Sequence, residues 1–136
     1  MISQQNLLDI AKSRFQESRI LFTNDRYDGA VYLCGYALEL MLKRHIVKIL
    51  NWDGYPEDNP EFKKYQSFKV HNLDVLLHLS GLEKKIQSDV KMLTLWQIAG
   101  KWDSEIRYRQ IGQLSKREAN DIIEASRELL KYLLKL

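Results

Sequence analysis

The segment 101–109, KWDSEIRYR, is dense in side chains that could bind an anion or a base. Arg107 and Arg109 each present a forked set of donors that fits a phosphate or a carboxylate. Trp102 and Tyr108 could stack on a base. Under the alternative interpretation both aromatic side chains plug the end of a helical bundle while the charges stay in water. The residue types favour neither interpretation over the other.

Glu39 and Lys43 form a second candidate pair. Glu39 lies in a very apolar stretch and is the only carboxylate between Asp28 and Asp53. Lys43 follows four residues later, so in a helix the two side chains share a face. A buried Glu39 would have to be paired or protonated, which would make a polar site inside the protein. The spacing by itself favours the alternative, a surface ion pair that contributes under about 1 kcal/mol.

The histidines are His45, His71 and His78. No acidic residue or cysteine stands at the spacing of a known metal motif, so the sequence predicts no metal site and no cofactor. His71 directly precedes Asn72, which is a good helix N-cap. Its side chain could therefore contact an anion or the backbone, although a histidine in this position more often simply packs.

Length and composition narrow the class of protein. The 136 residues predict a single domain, 1–136. A net charge of +3 is too small to imply nucleic-acid binding on its own. Cys34 is the single cysteine, which excludes an internal disulfide. Phosphate-binding glycine loops, a GxSxG nucleophile elbow, a signal-peptide apolar region and a membrane-length apolar run are all missing from the sequence. We therefore expect a cytoplasmic protein without a membrane partner.

Helical periodicity and capping residues predict an all-α fold, an up-and-down antiparallel bundle of four to five helices. The predicted helices cover 3–23, 26–50, 72–81, 83–98 and 115–134. An irregular loop at about 51–70 holds both prolines, and 101–113 reads as a second loop. Gly35 interrupts the second helix at a cost of about 1 kcal/mol relative to alanine. This glycine predicts a close approach by another helix.

Three short elements in this order resemble the HEPN domain, the higher-eukaryote and prokaryote nucleotide-binding helical domain. They are an A-x-E-x-x-x-K pattern in the second helix, an H-x-L pattern and an R-Y pattern before the last helix. The matching residues are Ala37, Glu39 and Lys43, then His71 and Leu73, then Arg107 and Tyr108. The resemblance extends over about 7–134, and the order of the elements is more specific than any one of them.

The resemblance implies a helical bundle that is frequently dimeric, so we expect a homodimer. Many family members are metal-independent ribonucleases, often toxins paired with a nucleotidyltransferase antitoxin. Those enzymes carry an Arg followed, after four to six residues, by a His. No Arg stands at that spacing before any histidine here, so no catalytic residue is assigned.

The leading hypothesis is therefore a non-catalytic HEPN-like module that binds a nucleotide, RNA or a nucleotidyltransferase-like partner protein. The residues assigned to binding are Glu39, Lys43, His71, Trp102, Arg107, Tyr108 and Arg109.

Two alternatives remain open. A divergent ribonuclease could use Arg107, Tyr108 and His71 if the fold brought them together. A purely structural role would have Glu39, Lys43, Arg107 and Tyr108 form a buried polar network that fixes the register of the helices.

Overall fold

A computed structural model describes residues 1–56, 68 and 70–136, apart from the side chains of Ser104 and Arg107. Most of the predicted loop at 51–70 therefore lies outside the described residues. The described part is an all-α bundle with one short 3₁₀ helix. Its helices are α1 (Gln4–Thr23), α2 (Tyr27–Ile49), α3 (Leu73–Leu79), α4 (Glu83–Gln87), α5 (Val90–Ala99), the 3₁₀ helix (Ser104–Tyr108) and α6 (Lys116–Leu134). No β-strand occurs among these residues, and one isolated antiparallel bridge joins Ile2 to Tyr55.

Helices α1 and α2 form an antiparallel hairpin that packs along its length. The Ser3 side chain accepts a hydrogen bond of 3.1 Å from the Asn6 amide and begins α1, as a helix N-cap does. Asn24 ends α1, and Asp25 adopts a positive φ of 61°, a conformation that aspartate tolerates better than most residues. The predicted ends of these two helices are confirmed to within one residue.

Helix α2 is the centre of the bundle, because α1, α3, α6 and the 3₁₀ helix all pack against it. Residues 37–42 in its middle are accordingly buried on every face of the helix, and Leu38, Leu42 and Ile46 are completely inaccessible to water. Each such side chain stabilises the fold by about 1.5–3 kcal/mol relative to an exposed one. No helix of the described residues is both long and apolar enough to cross a lipid bilayer.

The fourth predicted helix, 83–98, is two helices in the structure. Its apolar spacing runs on without a break, but Asp89 leaves the helical conformation and its side chain accepts a 3.1 Å hydrogen bond from the Met92 amide. Asp89 thereby caps the new helix α5, since a short acidic side chain satisfies a backbone donor that the helix leaves open. The described residues consequently contain six α-helices rather than four or five.

The last helix begins at its predicted cap, where the Ser115 hydroxyl accepts from the Glu118 amide at 3.1 Å. Its apolar stripe packs against α2 and α5. The sequence predicts a loop at 101–113, but this segment contains the 3₁₀ helix. Asp103 caps that helix by accepting a 2.8 Å hydrogen bond from the Glu105 amide.

Gly35 marks a close approach, but the neighbour is a side chain and not a helix backbone. A Cβ atom at Gly35 would lie 2.1 Å from ring atoms of Trp102. The indole nitrogen of Trp102 donates a 3.1 Å hydrogen bond to the carbonyl of Tyr32, one turn earlier on α2. The ring therefore lies directly on the α2 backbone, and this contact holds the segment after α5 against the bundle.

We expect Gly35→Ala to destabilise the protein by about 2 kcal/mol, because the gain in helix propensity is smaller than the cost of displacing a packed ring. Urea unfolding followed by circular dichroism measures the change. Gly29→Ala is the matched control in the same helix, because its Cβ would meet only the end of the Leu21 side chain, at 3.3 Å. Equal stability of the two variants would show that the Trp102 contact does not constrain α2.

Candidate functional site

Glu39 is the centre of a buried polar cluster. Its side chain is 1% exposed, and its Oε1 accepts a 2.6 Å hydrogen bond from Lys43 Nζ one turn later on α2. The same oxygen lies 2.9 Å from His71 Nδ1, just before α3. The N-cap of α3, in which Asn72 Oδ1 accepts from the Val75 amide at 3.1 Å, fixes the backbone beside His71. Three residues of the predicted site therefore meet at one carboxylate oxygen.

The Glu39–Lys43 pair is not the surface ion pair that the spacing favours. The Lys43 side chain is 13% exposed, and its Nζ lies 5.2 Å from the centre of the Tyr55 ring. An aromatic face at this distance attracts a cation. Because both charged groups are withdrawn from water, each depends on the other far more than exposed partners would.

Tyr55 is the member of this cluster that the sequence analysis missed. Its hydroxyl donates a 2.6 Å hydrogen bond to the carbonyl of Phe68. Burial, with a smaller contribution from the Glu39 charge, raises the pKa of Tyr55 above its usual range. No local pattern marks this residue, because its partners lie far from it along the chain.

The His71 side chain reaches from this cluster to the surface, where it is 61% exposed. A carboxylate oxygen only accepts hydrogen bonds, so Nδ1 must carry the proton that it shares with Glu39. In the neutral imidazole, Nε2 then holds a lone pair that can accept a proton or a hydrogen bond from a ligand. Glu39 thus orients the ring and assigns the role of each nitrogen.

His71 lines a cleft of about 450 Å³ between the start of α3 and the segment after α5, here called the His71 cleft. Two cationic side chains, Lys101 and Arg109, lie on its opposite wall. Three acidic side chains, Asp74, Asp103 and Glu105, also line the cleft, and the first two already have partners. Asp74 accepts from the indole nitrogen of Trp96 at 2.9 Å, and Asp103 caps the 3₁₀ helix and lies 4.0 Å from the Arg109 guanidinium.

Trp102 and Tyr108, which the sequence also assigns to the site, do not join the cluster around Glu39. Trp102 is 5% exposed and packs on Gly35, so its ring face is not available to a base. Tyr108 is 72% exposed, which places it outside a buried network with Glu39. The side chain of Arg107 lies outside the described residues. Among the described side chains, His71 and Tyr55 contact the pair Glu39 and Lys43 in the buried polar cluster, and Tyr108 does not belong to it.

Other reactive groups are remote from this site or inert. Burial raises the pKa of the Cys34 thiol to about 12, so it is not a nucleophile at neutral pH. Burial, together with the nearby charge of Lys48, lowers the pKa of His45. His78 pairs with Glu83 at 2.6 Å on the surface. Among the described residues, no group of three or more His, Cys, Asp or Glu side chains could hold a metal ion.

Comparison with known proteins gives one finding about this chain. A family model for the HEPN domain matches residues 4–53, which include α1, α2 and the pair Glu39 and Lys43. His71 and the segment 101–109 lie beyond the matched residues. No curated protein and no solved structure matches the chain.

We expect Lys43→Met to destabilise the protein by about 3 kcal/mol, because it leaves the buried Glu39 without its nearest cation. The double variant Glu39→Gln/Lys43→Met should recover at least about 1 kcal/mol of this loss, since neither residue then carries a buried charge. Chemical denaturation of the single and double variants measures the coupling.

Lys131→Met is the matched control, because Lys131 pairs with Glu128 at 3.5 Å on the surface. Lys131→Met should lower the free energy of unfolding by less than about 1 kcal/mol. Strictly additive losses in the double variant would contradict a coupled buried pair.

Proposed function

Because a HEPN family model matches residues 4–53, we propose that the chain is a non-catalytic binding module that holds a nucleotide or a short single-stranded RNA in the His71 cleft. The observation that carries this proposal is the position of His71. Its ring is held by the buried Glu39, and it shares one cleft with Lys101 and Arg109. Lys101 and Arg109 can donate hydrogen bonds to a phosphate, and His71 Nε2 can accept one from a ligand hydroxyl.

The dimensions of the cleft support a small ligand. A volume of about 450 Å³ lies within the range of about 300–1,000 Å³ that is usual for small-molecule and cofactor sites. Arg109 can grip two phosphate oxygens with its fork, whereas Lys101 supplies a point charge. The carboxylate oxygens of Asp74, Asp103 and Glu105 stand in the same cleft and suit the donor groups of a base or a ribose.

The sequence supports a non-catalytic role. The Arg–His spacing that the family's ribonucleases carry is missing from these 136 residues. His71 is the single histidine that lines the cleft among the described residues. A homodimer and a nucleotidyltransferase-like partner, which the family resemblance also implies, stay predictions.

A second candidate function, a divergent metal-independent ribonuclease, is favoured by one specific feature. The pair Glu39–His71 has the form of a general base whose ring is oriented by a carboxylate. His71 Nε2 could take the proton of a ribose 2′-OH as its oxygen attacks the adjacent phosphorus. The bond from phosphorus to the 5′-oxygen would break, and the leaving oxygen would take a proton from water, which gives a 2′,3′-cyclic phosphate and a 5′-hydroxyl. Arg109 would then stabilise the charge that develops on the phosphate oxygens.

We expect wild-type protein to bind a fluorescent single-stranded RNA oligonucleotide, and AMP as a competitor, at low salt. Arg109→Ala and Lys101→Ala should each weaken binding about tenfold or more, as loss of a charged hydrogen bond to phosphate does. Lys91→Ala is the control, because it removes an exposed lysine at the far end of α5. Fluorescence anisotropy measures all three. If the cleft variants bind as tightly as the control, the His71 cleft is not the site.

A cleavage assay in EDTA separates the two functions. The non-catalytic proposal expects labelled RNA to remain intact with wild type and with His71→Ala alike. Cleavage by wild type that His71→Ala abolishes, with a 2′,3′-cyclic phosphate on the product, would instead establish the ribonuclease. Circular dichroism of His71→Ala shows whether the variant is folded.

A further inference from the structure

A second concave surface lies between α1 and α6, with Met41 of α2 at its floor. Both outer helices pack against α2 but touch each other only sparsely, so a groove of about 310 Å³ stays open between them. We call this surface the α1/α6 groove. Met41 follows Glu39 by two residues, about 200° around the helix, so the groove and the His71 cleft lie on opposite sides of α2.

The lining of the α1/α6 groove is apolar and elongated. On α1, Leu8, Ala11 and Phe15 repeat at helical spacing along the groove. On α6, Leu130 and Leu134 form the facing wall, and Leu134 is half exposed. The α1 wall from Leu8 to Arg19 spans about 16 Å at 1.5 Å per residue, which is about three helical turns. Such a groove suits the apolar face of one further helix.

The rim of the groove is positively charged. Lys12 and Arg19 stand on the α1 side, and Arg127 and Lys131 stand on the α6 side. The two α6 cations have acidic neighbours on their own helix, with Arg127 at 2.6 Å from Glu124. Within the described part of the chain, Lys12 and Arg19 have no ion-pair partner. The rim therefore carries unbalanced positive charge beside an apolar floor.

This charge pattern decides between possible occupants. In a two-fold dimer through the groove, each rim would face the same cations of the other copy. Like charges brought together across an interface cost several kcal/mol. A helix that carries Leu-type residues on one face and Asp or Glu along its two edges would complement both the floor and the rim. We infer that the α1/α6 groove docks an acidic amphipathic helix of a partner protein.

The test uses a fluorescent peptide of about four helical turns, with leucines at i, i+3, i+4 and i+7 and glutamates on the flanking positions. One control peptide has the same composition in scrambled order, and another has lysine in place of glutamate. The full chain should bind the first peptide at least about tenfold more tightly than either control, and added salt should weaken that binding. Equal affinity for the designed and scrambled peptides would overturn the inference.

Charge reversal identifies the surface. Lys12→Glu/Arg19→Glu should weaken binding of the acidic peptide about tenfold or more. Lys116→Glu/Arg117→Glu makes the same change in net charge at the exposed start of α6 and should leave binding unchanged. Equal losses in the two double variants would show that the peptide responds to net charge only, and the groove would be rejected.

Two further measurements complete the test. Leu134→Asp changes an accessible groove residue and should abolish peptide binding, whereas Arg109→Ala in the His71 cleft should not affect it. This comparison keeps failure of the groove distinct from failure of the nucleotide site. If wild type is a dimer by sedimentation and Leu134→Asp makes it a monomer, a second copy of the chain fills the groove and the partner helix is excluded.

Discussion

A buried carboxylate is stable only when positive charge and hydrogen-bond donors replace the water it has lost. Glu39 meets this requirement with Lys43 from its own helix and with His71 from the start of α3. The start of α3 must therefore lie beside the middle of α2. Tyr55 covers the lysine from the side and ties the segment after α2 to Phe68. A polar contact in the core thus determines where the surface cleft forms.

The segment after α5 is positioned by a different kind of contact. Trp102 lies on Gly35, and only a residue without a side chain leaves room for the ring on the α2 backbone. The helix accepts the unfavourable propensity of glycine because the large apolar ring is buried in return. The ring brings Lys101 and Arg109 opposite His71. Two contacts with α2 therefore form the cleft. The Glu39–His71 pair positions one wall, and Trp102 packed on Gly35 positions the other.

The residues that the family model matches and the residues that complete the cleft come from different parts of the chain. The matched residues 4–53 include Gly35, Glu39 and Lys43, which form the surface of α2 that His71 and Trp102 contact. His71 and Trp102, which bind to that surface, come from the part of the chain beyond the match. On the opposite side, Met41 belongs to an apolar surface that α1 and α6 leave partly open. One central helix thus supports two surfaces of contrasting chemistry.

Local chemistry in the sequence determined the helices and most of their ends. Serine at 3 and 115 and asparagine at 72 each satisfy a backbone donor within three residues, so their effect is readable without the fold. The N-cap at Asp89 was not predicted, because the apolar residues on both sides of it keep one continuous helical spacing. Only the tertiary structure decided that Glu39 is buried, that His71 joins it across 32 positions, and that Trp102 plugs the bundle rather than offering its ring to a base. Burial and long-range pairing depend on which helix faces meet, and periodicity along one chain does not specify that choice.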